Sequence, residues 1–358
     1  MTEQILKQEE RAILTLRSLY RRYGYTPYKM SRFEEYDLYV QNKDFLVSDQ
    51  IITFSGDRGR LMALKPDVTL SIVKNAPDGK GVIQKVYYNE NVYRDYREIM
   101  QAGLECVGDL GSYEIAEVVL LAAKSLALLG ENYVLDISHV GLLGAVLDSC
   151  GLSGEEKTQA MACLRRKNLH RLKALCDGNS DALNKLKVLV SCHGSGSAVL
   201  EQIRPVMTTP RELEALQELE ALWAILSSCG IGSSVRLDFS VGSDLGYYSG
   251  VVFRGYLEGI PSSILSGGQY DRLPQKMGRK ARAIGFAIYV DLLQQLQSSG
   301  ESYDVDTLIL HDGTVDTGVL TAAAEAAAKN GSVLVARQLP SDRGYRNLIR
   351  FENGEGRS

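Results

Sequence analysis

The chain has 358 residues, enough for two or three domains, and 45 % of them are hydrophobic and 23 % charged. This composition is typical of a globular protein and excludes a disordered chain, a collagen or a coiled-coil rod. Lys and Arg number 40 against 44 Asp and Glu, a mildly acidic balance that disfavours a dedicated nucleic-acid binder. The longest apolar run is interrupted at Lys124 and Ser125, short of the ~20 residues of a membrane span. The N-terminal MTEQILKQEERA lacks the basic and apolar regions of a secretory signal.

The cysteines and histidines are spaced singly, without a CxxC or HExxH pair, so we expect no metal site. We expect free, mostly buried thiols in a reducing cytoplasm. A nucleophile-elbow serine and a phosphate-binding loop are missing as well, and we expect no bound cofactor. The cysteines are Cys106, Cys150, Cys163, Cys176, Cys192 and Cys229.

The first third of the chain predicts one long helix followed by short strands. Residues 3–23 repeat apolar side chains at helical spacing, and Gly24 ends that helix. Pro66 and Asp67 open a short helix at 68–75, because proline cannot continue a strand and aspartate can cap a helix. Turn residues between β-rich runs predict two hairpins and one further strand. Their strands are 50–54 with 61–64, 82–88 with 91–94, and 99–107.

The middle of the chain predicts helices, and strands return after it. Residues 113–129 are apolar nearly all round, which predicts a helix buried in the domain or between subunits, ended by Gly130. Residues 140–229 are predicted almost entirely helical, with capping boxes at Ser153 and Thr209. The later elements are strands at 235–239, 247–256, 262–265 and 283–289 and a helix to about 296.

Strands on both sides of the helical stretch predict one sheet, and therefore an α+β fold with an antiparallel sheet, flanking helices and a helical insertion at about 140–230. This core spans 1–297. Ser298 to Gly300 are predicted as a linker. Residues 301–358 predict a small C-terminal α/β segment, one βαβ unit with a frayed ENGEGRS tail.

Two segments offer polar groups for a pocket. Asp67 and Thr69, at a strand-to-helix turn, can direct a carboxylate and a hydroxyl into one site, although Asp67 could simply cap the helix. Gln101, Gly103 and Glu105 alternate on a strand and share one face. A small polar ligand could bind there beside the glycine, and the alternative is a solvated polar sheet face.

Two later segments combine tyrosines and glycines. Tyr247 and Tyr248, as neighbours on a predicted strand, should point to opposite faces, so that one lines a pocket while the other packs. Gly250 inside that strand suggests close approach of a ligand or of backbone. An aromatic core strand is the alternative. The Gly267–Gly268 turn of SGGQYDRL could form the floor of a site, although such a turn is a weak signal.

In this order, QAGLE, YYSGVVF and SGGQYDRL followed by AIGFA resemble the catalytic core of the histidyl-tRNA synthetase family, a class II aminoacyl-tRNA synthetase fold. The resemblance runs from the N-terminal helix to about residue 296 and is much weaker beyond it. It implies a histidine pocket in which Asp67 and Thr69 take the amino group and the two tyrosines lie over the imidazole. The residues that it assigns to histidine binding are Asp67, Thr69, Arg94, Gln101, Glu105, Tyr247 and Tyr248.

The positions that bind ATP in that family differ here. Polarising an α-phosphate requires fixed positive charge, usually from arginine. Ser243 stands where the family has an arginine, and Gly246 stands where it has an aspartate. Asp291 lies at or near the place of the motif-three arginine, where a carboxylate would repel a triphosphate. The motif-two loop is reduced to Asp95 and Tyr96, and the tail is too short for a full anticodon-binding domain.

The chain retains the residues of the histidine pocket but lacks those that bind ATP and tRNA. In this it resembles the paralogues that act as regulatory subunits of ATP phosphoribosyltransferase, the first enzyme of histidine biosynthesis. The resemblance implies no catalytic residue, a short-form catalytic subunit as partner, and L-histidine as feedback effector. It further implies a dimer within a cytoplasmic hetero-octamer, without a membrane or nucleic-acid partner. The alternatives are a divergent but active histidyl-tRNA synthetase and another synthetase paralogue with a different ligand. The cationic ATP contacts discriminate between them, and Arg94 is the only one clearly kept.

Overall fold

The computed structural model describes residues 6–46, 50–176, 178–241, 246–296, 303–352 and 355–357. The chain divides into two units, Met1–Leu296 and Gln297–Ser358. The predicted linker at 298–300 and Ser243 lie outside the described residues. The fold of the first unit is α+β, as predicted, with an antiparallel-rich sheet as its central element.

The sheet of the first unit has the strand order β1-β5-β6-β12-β11-β10-β7-β9-β8. Neighbouring strands are antiparallel except β1 with β5 and β7 with β9. A smaller sheet has the order β2-β4-β3, and its antiparallel pairing of β3 with β4 confirms the first predicted hairpin. The strands of this unit are β1 Thr26–Pro27, β2 Phe33–Glu35, β3 Thr53–Ser55, β4 Leu61–Leu64, β5 Ile83–Arg94, β6 Arg97–Gly108, β7 Tyr133–His139, β8 His193–Gly194, β9 Val235–Asp238, β10 Val251–Leu257, β11 Leu265–Gln269 and β12 Arg282–Tyr289.

Helices cover one face of the large sheet and form the insertion between β7 and β9. The helices of the first unit are α1 Gln8–Arg22, α2 Tyr36–Gln41, α3 Thr69–Asn75, α4 Ser112–Leu129, α5 Val140–Ser149, α6 Gly154–Arg165, α7 Leu169–Leu175, α8 Ser180–Ser191, α9 Gly196–Ile203, α10 Pro210–Ser228 and α11 Arg272–Lys276. A short 3₁₀ helix, Val290–Gln295, takes the place of the helix predicted after β12.

The helix predicted at 113–129 is α4, and it is buried within the chain. Leu121 and Leu126 of α4 share one apolar core with Leu104, Phe253 and Phe286 of the sheet. The same core continues into the insertion. One face of the sheet is therefore closed by apolar packing, and the opposite face is available for a site.

The second predicted hairpin is wrong, because β5 is one continuous strand of 12 residues. Asn89 and Glu90 separate the two predicted strands of this hairpin. Pairing with Ala102 and Gln101 of β6 holds both residues in an extended conformation. The turn lies instead at Asp95 and Tyr96, which have positive φ angles of 50° and 60°. Such angles are typical of the two-residue type I′ turn between antiparallel strands.

Both predicted capping boxes are present in the insertion. The Ser153 and Thr209 hydroxyls accept from the backbone N–H groups of Glu156 and Glu212. Inside the insertion the Nζ of Lys185 donates to both carboxylate oxygens of Glu212, at 2.9 and 3.0 Å. Both side chains are buried, so this ion pair joins α8 to α10 within the helical layer.

Two predicted strands are displaced. Strand β10 begins at Val251, so Tyr247, Tyr248 and Gly250 lie in the bend before it. The Gly267–Gly268 pair is no turn but the middle of β11, where it pairs with both β10 and β12. Glycine-rich sequence predicts turns locally, and here two flanking strands hold it extended.

The second unit extends the predicted βαβ pattern. Its sheet has the order β14-β13-β15-β16, with β13 parallel to both β14 and β15. The prediction of a single βαβ unit with a frayed end missed β15 and β16, although 353–354 and 358 lie outside the described residues. The elements are β13 Val305–His311, α12 Thr317–Ala328, β14 Val333–Ala336, β15 Tyr345–Glu352 and β16 Glu355–Arg357.

Five cysteine side chains are buried, as expected, and Cys229 is exposed. No helix in the described part of the chain combines the length and apolar content needed to cross a membrane. Across the same ranges, no group of three or more His, Cys, Asp and Glu side chains is placed to hold a metal ion.

Candidate functional site

The open face of the large sheet forms the floor of a cavity of about 490 Å³. Alternate residues of five adjacent strands point into it, as the period of two requires. The cross-strand register places Glu105 opposite Gly285, and Gly285 opposite Gly268. The start of α3 and the bend before β10 supply the walls.

The cavity brings together all the residues that the sequence assigned to histidine binding. They come from four separate stretches of chain, and the sheet register and the start of α3 place them around one space. These residues are Asp67, Thr69, Arg94, Gln101, Glu105, Tyr247 and Tyr248.

Glu105 lies at the bottom of the cavity with both carboxyl oxygens occupied. Thr69 Oγ1 donates to Oε1 at 2.8 Å, and the Tyr270 hydroxyl donates to Oε2. The side chain is 2 % exposed, and Gln101 on the same strand is equally buried. The alternative of a solvated polar sheet face is therefore wrong.

Burial raises the pKa of Glu105 to about 8. The hydrogen bonds from Tyr270 and Thr69 act in the opposite direction, and the nearby Asp67 raises the pKa further. Removing a carboxylate from water disfavours its charged form unless a cation compensates. Glu105 is therefore largely a neutral acid at neutral pH.

Asp67 has both of the functions that the sequence left open. Its Oδ1 accepts from the backbone N–H of Leu70 at 2.9 Å, which caps α3, and the side chain also lines the cavity. Arg94 lies 3.9 Å from its Oδ2 and donates from Nε to the carbonyl of Pro66 at 2.6 Å. Burial raises the pKa of Asp67, and Arg94 opposes that shift.

Gln101 has a buried amide nitrogen, Nε2, without a hydrogen-bond partner. A buried donor without an acceptor costs ~1–3 kcal/mol. Since Gln101 lines the cavity, a ligand acceptor can satisfy this nitrogen. The orphaned donor is thus an indication of a bound polar ligand.

The two adjacent tyrosines line the same cavity, so the prediction of opposite faces is wrong. Their rings meet edge to face with centroids 4.6 Å apart, and Tyr270 lies 5.9 Å from Tyr247. Because they precede β10 in a bend, the alternation of a strand does not apply. Together the three rings form an apolar, aromatic wall that suits a flat ligand ring.

Glycines in the floor keep the cavity open. A Cβ at Gly285 would lie 1.7 Å from Oε2 of Glu105, and one at Gly268 would lie 2.8 Å from the Tyr248 ring. Gly250 has a different reason, because its Cβ would meet the Gln269 side chain at 2.2 Å. The close approach predicted at Gly250 is therefore made by that side chain, not by a ligand or backbone.

Sequence reasoning missed several residues of the cavity. Tyr88 and Tyr289 could have been predicted from the sequence, because each lies on the cavity face of its strand, β5 or β12, by the same alternation as the other floor residues. Tyr270 gave no local signal, since it meets Glu105 across 165 positions of chain. In addition to Arg94, two more cationic side chains line the cavity, those of Arg165 and Arg254.

The expected role of Asp291 is wrong. Its Oδ2 accepts from the backbone N–H of Met100 at 2.7 Å, which ties the 3₁₀ helix to β6. Tyr289 lines the cavity, and Asp291 does not. The carboxylate is therefore a structural acceptor outside the lining of the cavity.

Comparison with known proteins places this geometry in a family. The histidyl-tRNA synthetase family profile matches residues 1–293. The chain is 30 % identical over 308 residues to an ATP phosphoribosyltransferase regulatory subunit of Clostridium kluyveri, covering 81 % of this chain and 78 % of that protein. The chain belongs to the histidyl-tRNA synthetase family, among the ATP phosphoribosyltransferase regulatory subunits.

Solved structures confirm the class II synthetase fold. An ATP phosphoribosyltransferase regulatory subunit/histidyl-tRNA synthetase from Bacillus halodurans is similar with a TM-score of 0.76 at 24 % identity, covering 96 % of this chain and 93 % of that one. A chain of the ATP phosphoribosyl transferase complex from Thermotoga maritima is similar with a TM-score of 0.62 at 18 % identity. That match covers 79 % of this chain and 97 % of the other.

Proposed function

We propose that this chain is a regulatory subunit of ATP phosphoribosyltransferase in histidine biosynthesis, that it has no catalytic activity alone, and that it binds L-histidine as effector. The names of its relatives support the first part. Its partner is a short-form catalytic subunit, in line with the complex from Thermotoga maritima whose chain has the same fold.

The single observation that supports histidine as the effector is that all seven residues predicted to bind it line one cavity. The cavity offers complementary groups for each part of the amino acid. The Gln101 amide can donate to a ligand acceptor, Glu105 and Asp67 can accept from an ammonium or an imidazole N–H, and the tyrosine rings can cover the imidazole.

Feedback inhibition requires that histidine bind with different affinity to an active and an inactive assembly. The cavity is bounded by elements far apart in the chain, namely α3, β6 and the bend before β10. A ligand that joins these elements can favour one arrangement over another, which is the physical basis of the proposed regulation.

Co-expression with a short catalytic subunit tests the proposal. We expect co-purification, phosphoribosyl transfer by the complex that histidine inhibits, and no transfer by this chain alone. Histidine inhibition should be lost when Gln101→Leu removes the unpartnered donor, while the complex still assembles. Failure to co-purify or to raise the activity of any short catalytic subunit would contradict the regulatory assignment.

The second candidate is a divergent histidyl-tRNA synthetase, favoured by the presence of Arg94 in the cavity and by the matching family profile. Histidine-dependent exchange of pyrophosphate with ATP distinguishes the two. We expect no exchange, because Gly246 and the structural acceptor Asp291 supply no cation to the cavity. Sustained exchange at synthetase-like rates would favour the enzyme.

A further inference from the structure

Two arginines line the cavity from elements other than β6, the strand that carries Glu105. Arg254 comes from β10, and Arg165 is the last residue of α6 in the helical insertion. Both side chains are solvent-accessible, and neither forms an ion pair with a described residue. Two cations that line one space from different elements can both attract an anion that lies between them.

The sheet register separates this region from the amino-acid pocket. Arg254 pairs with Ser266 on β11, Ser266 with Ala287 on β12, and Ala287 with Gly103 on β6. Three strand spacings amount to roughly 14 Å. An amino acid held at Glu105 and Gln101 therefore leaves space for a second ligand group beside Arg254.

Tyr248 stands between the two regions. Its ring packs against Tyr247 on the amino-acid side, and its hydroxyl is hydrogen-bonded to Ser266 near the Arg254 guanidinium. The small side chains of Ser266 and Ala287 leave the floor open along this path. The cavity is thus continuous, with an acidic and aromatic end and a cationic end.

Acids on the neighbouring strands β7 and β9 interact with other cations. Asp136 is the cross-strand neighbour of Arg254 on β7, and it interacts with Arg236 and with Lys167. Asp238 accepts from Lys167 at 2.9 Å. Neither carboxylate lines the cavity, so the two arginines have no anionic neighbour among the described lining residues at that end.

We propose that this cavity has a second subsite, between Arg254 and Arg165, that binds a small phosphorylated ligand. Guanidinium groups bind phosphate oxygens in bidentate geometry, and phosphate offers several oxygens to two arginines at once. Because Arg165 belongs to the insertion and Arg254 to the sheet, the bound anion would join the two. This subsite does not depend on histidine binding at the other end.

Inorganic pyrophosphate is a suitable probe, titrated into the purified full-length chain by calorimetry with and without saturating histidine. We expect one binding event per chain that weakens with added salt. Arg254→Gln and Arg165→Gln should each weaken it about 10-fold or more, because each removes charge-assisted hydrogen bonds. Arg254→Lys should retain part of the affinity, since it keeps the charge and loses the planar fork.

The neighbouring Arg166→Gln is the matched control, because Arg166 is exposed and does not line the cavity. If it weakens pyrophosphate as much as Arg165→Gln, binding is a diffuse effect of surface charge and the subsite is refuted. Equal affinity of Arg254→Gln and the parent would also refute it. Arg254→Gln that weakens histidine but not pyrophosphate would make Arg254 a partner of the amino-acid carboxylate instead.

Thermal unfolding of each variant without ligand verifies that the fold is kept. A failure to bind histidine in the same titrations would count against the proposed effector and leave the pyrophosphate result intact. The two proposals therefore fail separately.

Discussion

Glu105 is the residue on which the proposed pocket depends most. It is buried, it holds Thr69 and Tyr270 in place through its two oxygens, and a glycine keeps the space beside it free. Glu105 is not paired with the cavity arginine Arg94, which contacts Pro66 and Asp67 instead.

Substituting Glu105→Ala should weaken histidine binding by ~10-fold or more, because the ligand loses a charge-assisted partner. Calorimetry measures the change. Glu98→Ala is the matched control, since Glu98 lies on the same strand, exposed and outside the cavity. Unchanged histidine affinity and unchanged feedback in Glu105→Ala would show that the pocket is assigned wrongly.

The protonation of Glu105 predicts a pH dependence of stability. Its folded pKa of about 8 lies above the ~4.3 of an unfolded glutamate, so the native state holds a proton that the unfolded chain has lost. The contribution is complete below the unfolded pKa and is lost as the pH rises through about 8. Between those limits the free energy of unfolding should fall by at most ~1.4 kcal/mol per pH unit from this group.

Urea unfolding at pH 5.5 and 8.0 checks this slope. Glu105→Gln imitates the neutral acid and should remove the contribution, so the difference between parent and variant isolates it from Asp67, whose raised pKa acts in the same direction. Parallel pH profiles of parent and variant would mean that Glu105 is ionised in the folded chain.

At the scale of elements, the cavity exists because β6, β11 and β12 present small residues to one another. The carboxyl group of Glu105 occupies the space that a side chain on β12 would fill. An antiparallel sheet keeps such positions in fixed register. A shift of any of these strands by one residue would turn its other side chains to the wrong face.

Gly285→Ala should therefore destabilise the chain by ~1–3 kcal/mol through overpacking and displace Glu105 from the cavity. Histidine affinity should fall with it. Gly154→Ala is the control, because nothing lies within 4 Å of its Cβ position at the start of α6. Chemical denaturation compares the two, and equal stability of both variants would contradict the packing at β12.

At the scale of the whole molecule, we predict that the isolated chain is a dimer. Helix α4 is largely covered within the chain, so most of its apolar surface is not available for an interface between subunits. Exposed apolar surface lies instead on the small sheet, where Phe33 and Phe54 pack edge to face while 48 % and 39 % exposed. Apolar surface of this kind is typical of an interface between copies.

Sedimentation at micromolar concentration should show a dimer without a dominant monomer. Phe54→Asp should shift it towards monomer, whereas Leu339→Asp, an exposed apolar residue of the second unit, should not. A clean monomer of the parent chain would refute the prediction.

Features that depend on neighbours along the chain could be predicted from the sequence alone. A period of two put Gln101, Gly103 and Glu105 on one face, capping residues marked the starts of α6 and α10, and the order of motifs indicated the fold. These signals are local, because backbone geometry alone decides which side chains share a face or cap a helix.

Contacts between groups far apart in the chain depend on the folded structure. Pairing with β6 turned a predicted hairpin into the single strand β5, and a bend before β10 directed both tyrosines into the cavity. Burial raised the pKa of Glu105 despite the hydrogen bond from Tyr270, and Asp291 accepts a hydrogen bond from the backbone N–H of Met100. Charge states and contacts of this kind depend on desolvation and on partners far along the chain, which no local pattern contains.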